Sequence, residues 1–280
     1  MSSRLQDRAD ENSRIAADGH YTAADGTTVD IRAALDAATG ATRCHRPEEK
    51  LAPPAGSGGA RSDGGTSIEV TAEGSLEAAR RLCDEGPGEV AVLNFASARN
   101  PGGGYLRGTK AQEEDLCRES LLYHTLIQAP EYYEAHRSSD DLLYSDRVIW
   151  SPLVPVHRGD DGALLARPYL VSFLTSPAPN ATPALQRDPG AGPAVNTALR
   201  RRAGRVLDVA VHHGVRRLVL GAWGCGVFGN DPVAVAEAFH QHLRADDGAF
   251  RTAFDTVVFA VWDRTTPSPN RDAFTRRFTA

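Results

Sequence analysis

The chain has 280 residues, 41 percent apolar and 24 percent charged, which is enough for one substantial core and a small appendage. No run approaches the roughly 20 apolar residues that span a bilayer, and a net charge of −5 without a basic cluster argues against a dedicated nucleic-acid surface. Cys44, Cys83, Cys117 and Cys225 lack C-x-x-C spacing, and the opening Met1-Ser2-Ser3-Arg4-Leu5-Gln6-Asp7 lacks the apolar stretch of a signal peptide. Reduced thiols, no zinc site and a cytoplasmic location are therefore expected.

Residues 4–17 read as a helix. Tyr21-Thr22 and Thr27-Thr28-Val29 flank an Asp25-Gly26 turn that suggests a hairpin, and residues 31–38 read as a short helix. The stretch 47–60, with Asp63-Gly64-Gly65, has too little apolar content to pack and reads as a loop or linker. Residues 1–66 are thus an N-terminal helical and hairpin extension with its linker, expected to pack on a main domain formed by residues 67–280.

From residue 67 strands and helices alternate. Strands are predicted over 67–71, 89–95, near Val148-Ile149-Trp150, and over 169–174, 217–221 and 256–261. Helices are predicted over 75–83, 110–126, 195–213 and 233–243. This order implies a three-layer α/β/α domain with a mixed, mostly parallel sheet, in which ligands bind outside the strand C-termini.

The most pointed string follows the predicted strand 89–95. It runs Asn100-Pro101-Gly102-Gly103-Gly104-Tyr105-Leu106-Arg107-Gly108-Thr109-Lys110-Ala111-Gln112-Glu113-Glu114. Three glycines let the main chain approach a ligand without Cβ clash and present N–H groups to oxyanions. Thr109 and Gln112 are spaced as a capping box for a helix starting near Lys110, which puts both glutamates in its first turn. Leu116, Leu121 and Leu122 then fall near one face.

A second glycine loop leaves the strand 217–221: Gly224-Cys225-Gly226-Val227-Phe228-Gly229-Asn230. Asp231 is placed to cap the next helix, with Pro232 at its first position. A glycine-rich turn at a helix N-terminus suits a diphosphate, with Cys225 contributing its backbone. Other candidates are weaker. His124, His157, His212, His213, His240 and His242 share no ligand spacing, Arg200, Arg201, Arg202 and Arg205 read as a solvated helix face, and Thr71 and Glu73 read as a turn.

Asn94-x-Ala96-x-x-x-Asn100-x-Gly102-Gly103-Gly104 resembles the ribose loop of macrodomains, which bind ADP-ribose. The addition of Gln112-Glu113-Glu114 narrows the resemblance to poly(ADP-ribose) glycohydrolases of the compact bacterial type, from about Ile68 to the C-terminus, and the first 60 or so residues are similar to that type's N-terminal extension. The resemblance implies a macrodomain-like fold. It implies a ligand set of Asn100, Gly102, Gly103, Gly104, Gln112, Gly224, Cys225, Gly226, Val227, Phe228, Gly229 and Asn230, in which the second loop holds a diphosphate and Phe228 orients the terminal ribose. It implies poly(ADP-ribose), ADP-ribose and ADP-ribosylated proteins as partners, with no metal and no cofactor. A monomer is the default.

Cleaving a ribose-to-ribose glycosidic bond passes through an oxocarbenium-like state, which calls for an acid at the leaving oxygen and a base for water. Successive helical residues point about 100° apart, so Glu113 and Glu114 cannot flank one bond as a pair. By resemblance Glu114 is the acid and then the base, while Glu113 and Asn100 hold ribose hydroxyls. A helix N-terminus favours a carboxylate, whereas a general acid must hold a proton, so protonation of Glu114 is expected to be coupled to substrate binding. Two alternatives stay open on the residues alone: a binding-only ADP-ribose reader, which leaves the Gln-Glu-Glu triplet unexplained, and a hydrolase for ADP-ribose attached to protein or nucleic acid.

Overall fold

In the computed structural model the described residues are 2–53, 65–263 and 265–279. The part of the expected linker over 54–64 lies outside them. In chain order the elements are α1 (Ser2–Asp18), β1 (His20–Thr22), β2 (Thr28–Asp30), α2 (Arg32–Ala41), β3 (Arg43–His45), β4 (Ser67–Thr71), α3 (Ser75–Glu85) and β5 (Val90–Phe95). There follow a 3-10 turn (Tyr105–Arg107), α4 (Gln112–Glu119), α5 (Leu122–Leu126), α6 (Pro130–Arg137), β6 (Val148–Arg158), β7 (Leu164–Ser176), α7 (Ala181–Arg187), α8 (Gly192–His212), β8 (Arg217–Leu220), α9 (Pro232–Leu243), β9 (Thr256–Ala260) and α10 (Pro269–Phe278).

Seven strands form one sheet in the order β3-β6-β7-β5-β8-β9-β4, with the β3–β6 and β6–β7 pairings antiparallel and the remaining pairings parallel. The fold is therefore mixed α/β with a mostly parallel sheet. Alternation along its strands decides the layers. Val90 and Val92 of β5 point into a core shared with α1 to α6, while Ala91 and Leu93 point into a second core shared with α7 to α10. Val219 against Leu218 and Leu220, and Val258 against Val257 and Phe259, divide the same way.

The hairpin of β1 and β2 forms around Asp25, whose side chain accepts the Thr27 N–H. The N-terminal segment also gives β3 to the main sheet and packs α1 against α4 and the 3-10 turn. Asn12 of α1 is fully buried and donates to the carbonyls of Cys117 and Arg118 at 3.1 and 3.0 Å.

Two local expectations are corrected. Ala111, not Thr109, stands at the N-cap of α4, because the Gln112 side chain is drawn into β5: its oxygen accepts the Phe95 N–H at 2.9 Å and its nitrogen donates to the Leu93 carbonyl at 2.8 Å. The single helix expected over 110–126 is broken at Ser120. That residue is extended and bridges to Val156 of β6, while its hydroxyl donates to the Leu116 carbonyl at 2.6 Å. The short strand β3 and the helices α6, α7 and α10 carry no strong pattern and go unseen in the sequence, whereas Asp231 caps α9 as expected, accepting the Val233 N–H at 3.0 Å.

Candidate active site

Neighbouring parallel strands β7, β5 and β8 end on the same edge of the sheet and release three loops side by side. The loop after β5 brings the glycines to α4. Gly102 and Gly103 have φ of +64° and +59°, and Gly103 N–H closes a turn onto the Asn100 carbonyl at 2.9 Å. This bends the chain back over the first turn of α4. A Cβ on Gly103 would lie 2.6 Å from Glu114 Oε1 and 3.1 Å from Glu113 Oε2, so the Glu114 carboxyl would have to shift to admit one, and the positive φ independently favours glycine. Both carboxyl groups stand against this one residue, although they leave the helix in different directions.

Their surroundings differ. Glu113, 3 percent exposed, is held by the Ser97 N–H at 2.7 Å and the Asn94 side-chain amide at 3.2 Å. Burial pushes its carboxyl up to about 8, opposed by those two hydrogen bonds and reinforced by the Glu114 charge. Glu114, 6 percent exposed, takes the Gly104 N–H on Oε1 at 2.8 Å. The buried rings of Tyr132 and Tyr133 back the Glu113 side, their hydroxyls held well above the usual tyrosine range by burial first and the Glu113 charge second. Gln112 makes its contacts with Phe95, Leu93 and Ser75 and anchors the helix start.

The second loop turns through Gly224 and Gly229, with φ of +73° and +68°. Trp223 is fully buried and ties the loop to β7 by donating to the Ser176 carbonyl at 3.0 Å, and Asn230 donates to the carbonyls of Pro179 and Gly224 at 2.8 and 3.1 Å. Between these anchors Cys225, Gly226, Val227 and Phe228 are at least partly open, Val227 being 85 percent exposed. Burial pushes the Cys225 thiol up to about 12, which leaves it uncharged and its backbone as the polar contributor. The structure thus brings Asn100, Gly102 to Gly104, Glu113 and Glu114 together on one loop and helix start, and 224–230 on the loop from the adjacent strand.

Sequence reasoning passed over the buried Asn94 side chain, the Ser97 amide and the loop 177–180 that anchors Asn230. Asn94 stood in the recognised pattern, and its burial in a strand otherwise apolar was the available signal. The arginine group is also corrected. Arg202 and Arg205 are buried: Arg202 donates to the carbonyls of Leu143, Tyr144 and Pro177, and Arg205 to that of Glu49 at 2.9 Å, so only Arg200 and Arg201 face solvent. Glu73 is paired with Arg81 at 2.8 Å. Among the described residues no group of three His, Cys, Asp or Glu is arranged to hold a metal ion.

A family model for the catalytic domain of microbial-type PARG, poly(ADP-ribose) glycohydrolase, matches residues 9–159. Among solved structures the chain is similar to poly(ADP-ribose) glycohydrolase from Thermomonospora curvata, at 47 percent identity over 99 percent of this chain and 100 percent of that one, with a TM-score of 0.89. The same enzyme bound to the inhibitor ADP-HPD matches at 48 percent with the same coverage and TM-score. The enzyme from Deinococcus radiodurans in complex with ADP-ribose matches at 44 percent, over 88 percent of this chain and 96 percent of that one, with a TM-score of 0.77. The comparison with curated protein sequences returns no match. With more than half of the chain under the family model and a nearly full-length likeness at 47 percent identity, the chain belongs to the microbial-type poly(ADP-ribose) glycohydrolase family.

Proposed function

We propose that this protein is a poly(ADP-ribose) glycohydrolase that hydrolyses ribose-ribose O-glycosidic bonds and releases ADP-ribose, mainly from chain termini, with Glu114 as general acid and base. The observation that carries the assignment of the acid is the placement of Glu113 and Glu114 against Gly103, where the triple-glycine loop folds over the start of α4.

In this reading the second loop receives the diphosphate on its backbone amides, Phe228 orients the terminal ribose, and Asn100 and Glu113 hold ribose hydroxyls. Glu114 gives its proton to the leaving ribose oxygen as the glycosidic bond breaks. The resulting carboxylate then takes a proton from the water that adds to the oxocarbenium carbon, which restores the acid. Enclosure by Gly103 and the Gly104 N–H fixes one oxygen of Glu114 in place before substrate arrives, which lowers the cost of orienting it. The D. radiodurans relative was solved with ADP-ribose, which supports ADP-ribose as the ligand of the equivalent cleft here. We assign the activity to a monomer in the cytoplasm, acting on free polymer and on ADP-ribosylated proteins; the composition supports the location, and no helix of the described residues is long and apolar enough to cross a membrane.

The test is turnover of purified poly(ADP-ribose) by wild-type and Glu114→Gln protein, with ADP-ribose binding measured on both by calorimetry. Release by wild type alone, with binding kept in the variant, supports the assignment. Equal turnover by the two proteins removes Glu114 from the chemistry, and tight binding without release by either makes the protein a reader.

A further inference from the structure

Among the described residues two non-glycine residues have positive φ, Leu153 at +48° and Tyr144 at +61°. Leu153 has a local reason, since it lies in the irregularity that shifts the β6–β7 register between Ser151 and Val154. Tyr144 has none in its own sequence. A bulky residue in the left-handed region is held there only when its surroundings over-determine it.

The constraint comes from α8. Arg202 of α8 is fully buried and its guanidinium ties the loop that carries Tyr144 to the residue that follows β7. It donates to the Tyr144 carbonyl at 2.9 Å, to the Leu143 carbonyl at 2.7 Å and to the Pro177 carbonyl at 2.7 Å, and pairs with Asp146 at 3.0 Å. A buried cation with four acceptors is a strong anchor, because releasing any of them leaves charge unsolvated. The side chain that this backbone aims is also fixed. The Tyr144 hydroxyl accepts from the Asn180 amide at 3.4 Å, its ring packs on His136 at 5.6 Å, and its ring centroid stands 6.0 Å from that of Phe228 at a tilt of 49°. The Phe228 backbone is meanwhile held from the first turn of α7, its carbonyl accepting the Thr182 N–H at 3.0 Å.

We infer that Tyr144 is a positioning residue for Phe228: its strained backbone, clamped by Arg202, sets the ring against which Phe228 rests, and so fixes how Phe228 presents itself to the ribose. The inference rests on the reading of Phe228 given above. It adds to that reading the loop 138–147, which contributes nothing to the glycine-loop motifs, as part of the machinery that orders the cleft. Tyr144 acts through Phe228, so its loss affects the step that needs the ribose aligned and leaves most of the grip on the diphosphate intact. The consequence falls on kcat more than on KM.

The experiment is a double-variant cycle on the full-length chain with poly(ADP-ribose) as substrate. Tyr144→Asn removes the ring with a residue that tolerates the left-handed conformation, so it separates the loss of the ring from damage to the backbone. Tyr144→Phe keeps the ring. The expected result is a fall in kcat of roughly five- to tenfold for Tyr144→Asn with KM nearly unchanged, the size of a lost aromatic pair. Recovery to near wild-type kcat is expected in Tyr144→Phe, and no further loss when Tyr144→Asn is added to Phe228→Ala. A Tyr144→Asn protein with wild-type kcat overturns the inference, as does a loss that simply multiplies with that of Phe228→Ala, which is what a general weakening of the fold would give. If Phe228→Ala itself turns over at the wild-type rate, the reading of Phe228 fails and the role of Tyr144 falls with it. A damaged Phe228→Ala beside an unaffected Tyr144→Asn refutes only the present inference.

Discussion

Replacing Gly103 by alanine tests whether one glycine sets the position of Glu114, the proposed acid. Two costs are predicted, and they separate. The backbone at φ +59° asks an L-residue to adopt the left-handed region, at about 1 to 2 kcal/mol. The new Cβ would stand 2.6 Å from Glu114 Oε1, whereas ordinary C···O contacts begin at about 3.3 Å, so the carboxyl must retreat by roughly 0.7 Å or the loop must lift. Either movement stretches the 2.8 Å bond from the Gly104 N–H, whose loss costs on the order of 1 to 3 kcal/mol. The sum, about 2 to 5 kcal/mol, predicts a fall in Tm of roughly 4 to 10 °C for a chain of this size. If Glu114 is the acid as proposed, its displacement by most of an ångström predicts a drop in kcat on the order of a hundredfold. The control is Gly26→Ala in the β1–β2 turn, where φ is +86° and a Cβ would meet nothing within 4 Å. It bears the backbone cost alone and should lose about 1 kcal/mol of stability and no activity. Thermal unfolding and polymer turnover on the three proteins decide it. A Gly103→Ala enzyme that unfolds earlier but retains wild-type kcat would refute the claim that contact between this glycine and Glu114 positions the acid.

Two further predictions concern the charge and the second loop. The Glu113 carboxyl is raised to about 8 by burial, so the native state holds its proton more tightly than the unfolded chain does. Its contribution to stability is complete below about 4.5, declines as pH rises and is gone above about 8, a span on the order of a few kcal/mol. Glu119 is raised to about 8 by burial and by Asp115 and Asp160, and acts in the same direction. Glu113→Gln should therefore reduce, without abolishing, the fall in Tm between pH 5 and 8, and parallel Tm curves for the two proteins would count against a protonated Glu113. Gly226→Ala places its Cβ in open space at the exposed part of the loop, so Tm should not move while ADP-ribose binding weakens about tenfold or more, as read by calorimetry; unchanged binding would mean that the diphosphate does not pass over this backbone.

What the sequence disclosed follows the reach of the forces involved. The apolar runs Val90-Ala91-Val92-Leu93 and Leu218-Val219-Leu220 are strands buried on both faces, and a continuous apolar run reports that directly. Both glycine loops and the Asp231 cap were legible because they depend on residues a few positions apart. Strand β3, three residues long and at the sheet edge, was not legible, since its pairing with β6 is decided by a segment a hundred residues away. The same holds for Arg202. Three arginines in a row on a helix read as a solvated face until the carbonyls of Leu143, Tyr144 and Pro177 are seen to converge on one of them.

The helix that carries the glutamates makes the point most sharply. With eight residues, α4 is too short to hold itself in water, and beyond the Leu116 carbonyl, which accepts the Ser120 N–H at 3.0 Å, the helix cannot continue to satisfy its last carbonyls, because the chain turns extended at Ser120. Both ends are instead held from outside. At the start, the Gln112 amide exchanges hydrogen bonds with the backbone of β5, which sets the helix at a fixed height above the strand from which the glycine loop departs. At the end, the carbonyls of Cys117 and Arg118 receive the side-chain N–H groups of Asn12, whose oxygen accepts from Arg158 at 3.0 Å and lies 2.9 Å from His157 Nε2. The Asn12 amide is thus fully committed, linking α1, α4 and β6 in one buried set of hydrogen bonds. A helix continued past Ser120 would have bonded the Cys117 and Arg118 carbonyls itself and moved its open end further along, but it could not have broken at Ser120 to let the chain rejoin β6. The two-turn helix and the N-terminal segment are therefore one structural decision: the first turn, with Glu113 and Glu114, can be presented rigidly to the cleft because the far end is capped by a residue from a different part of the chain.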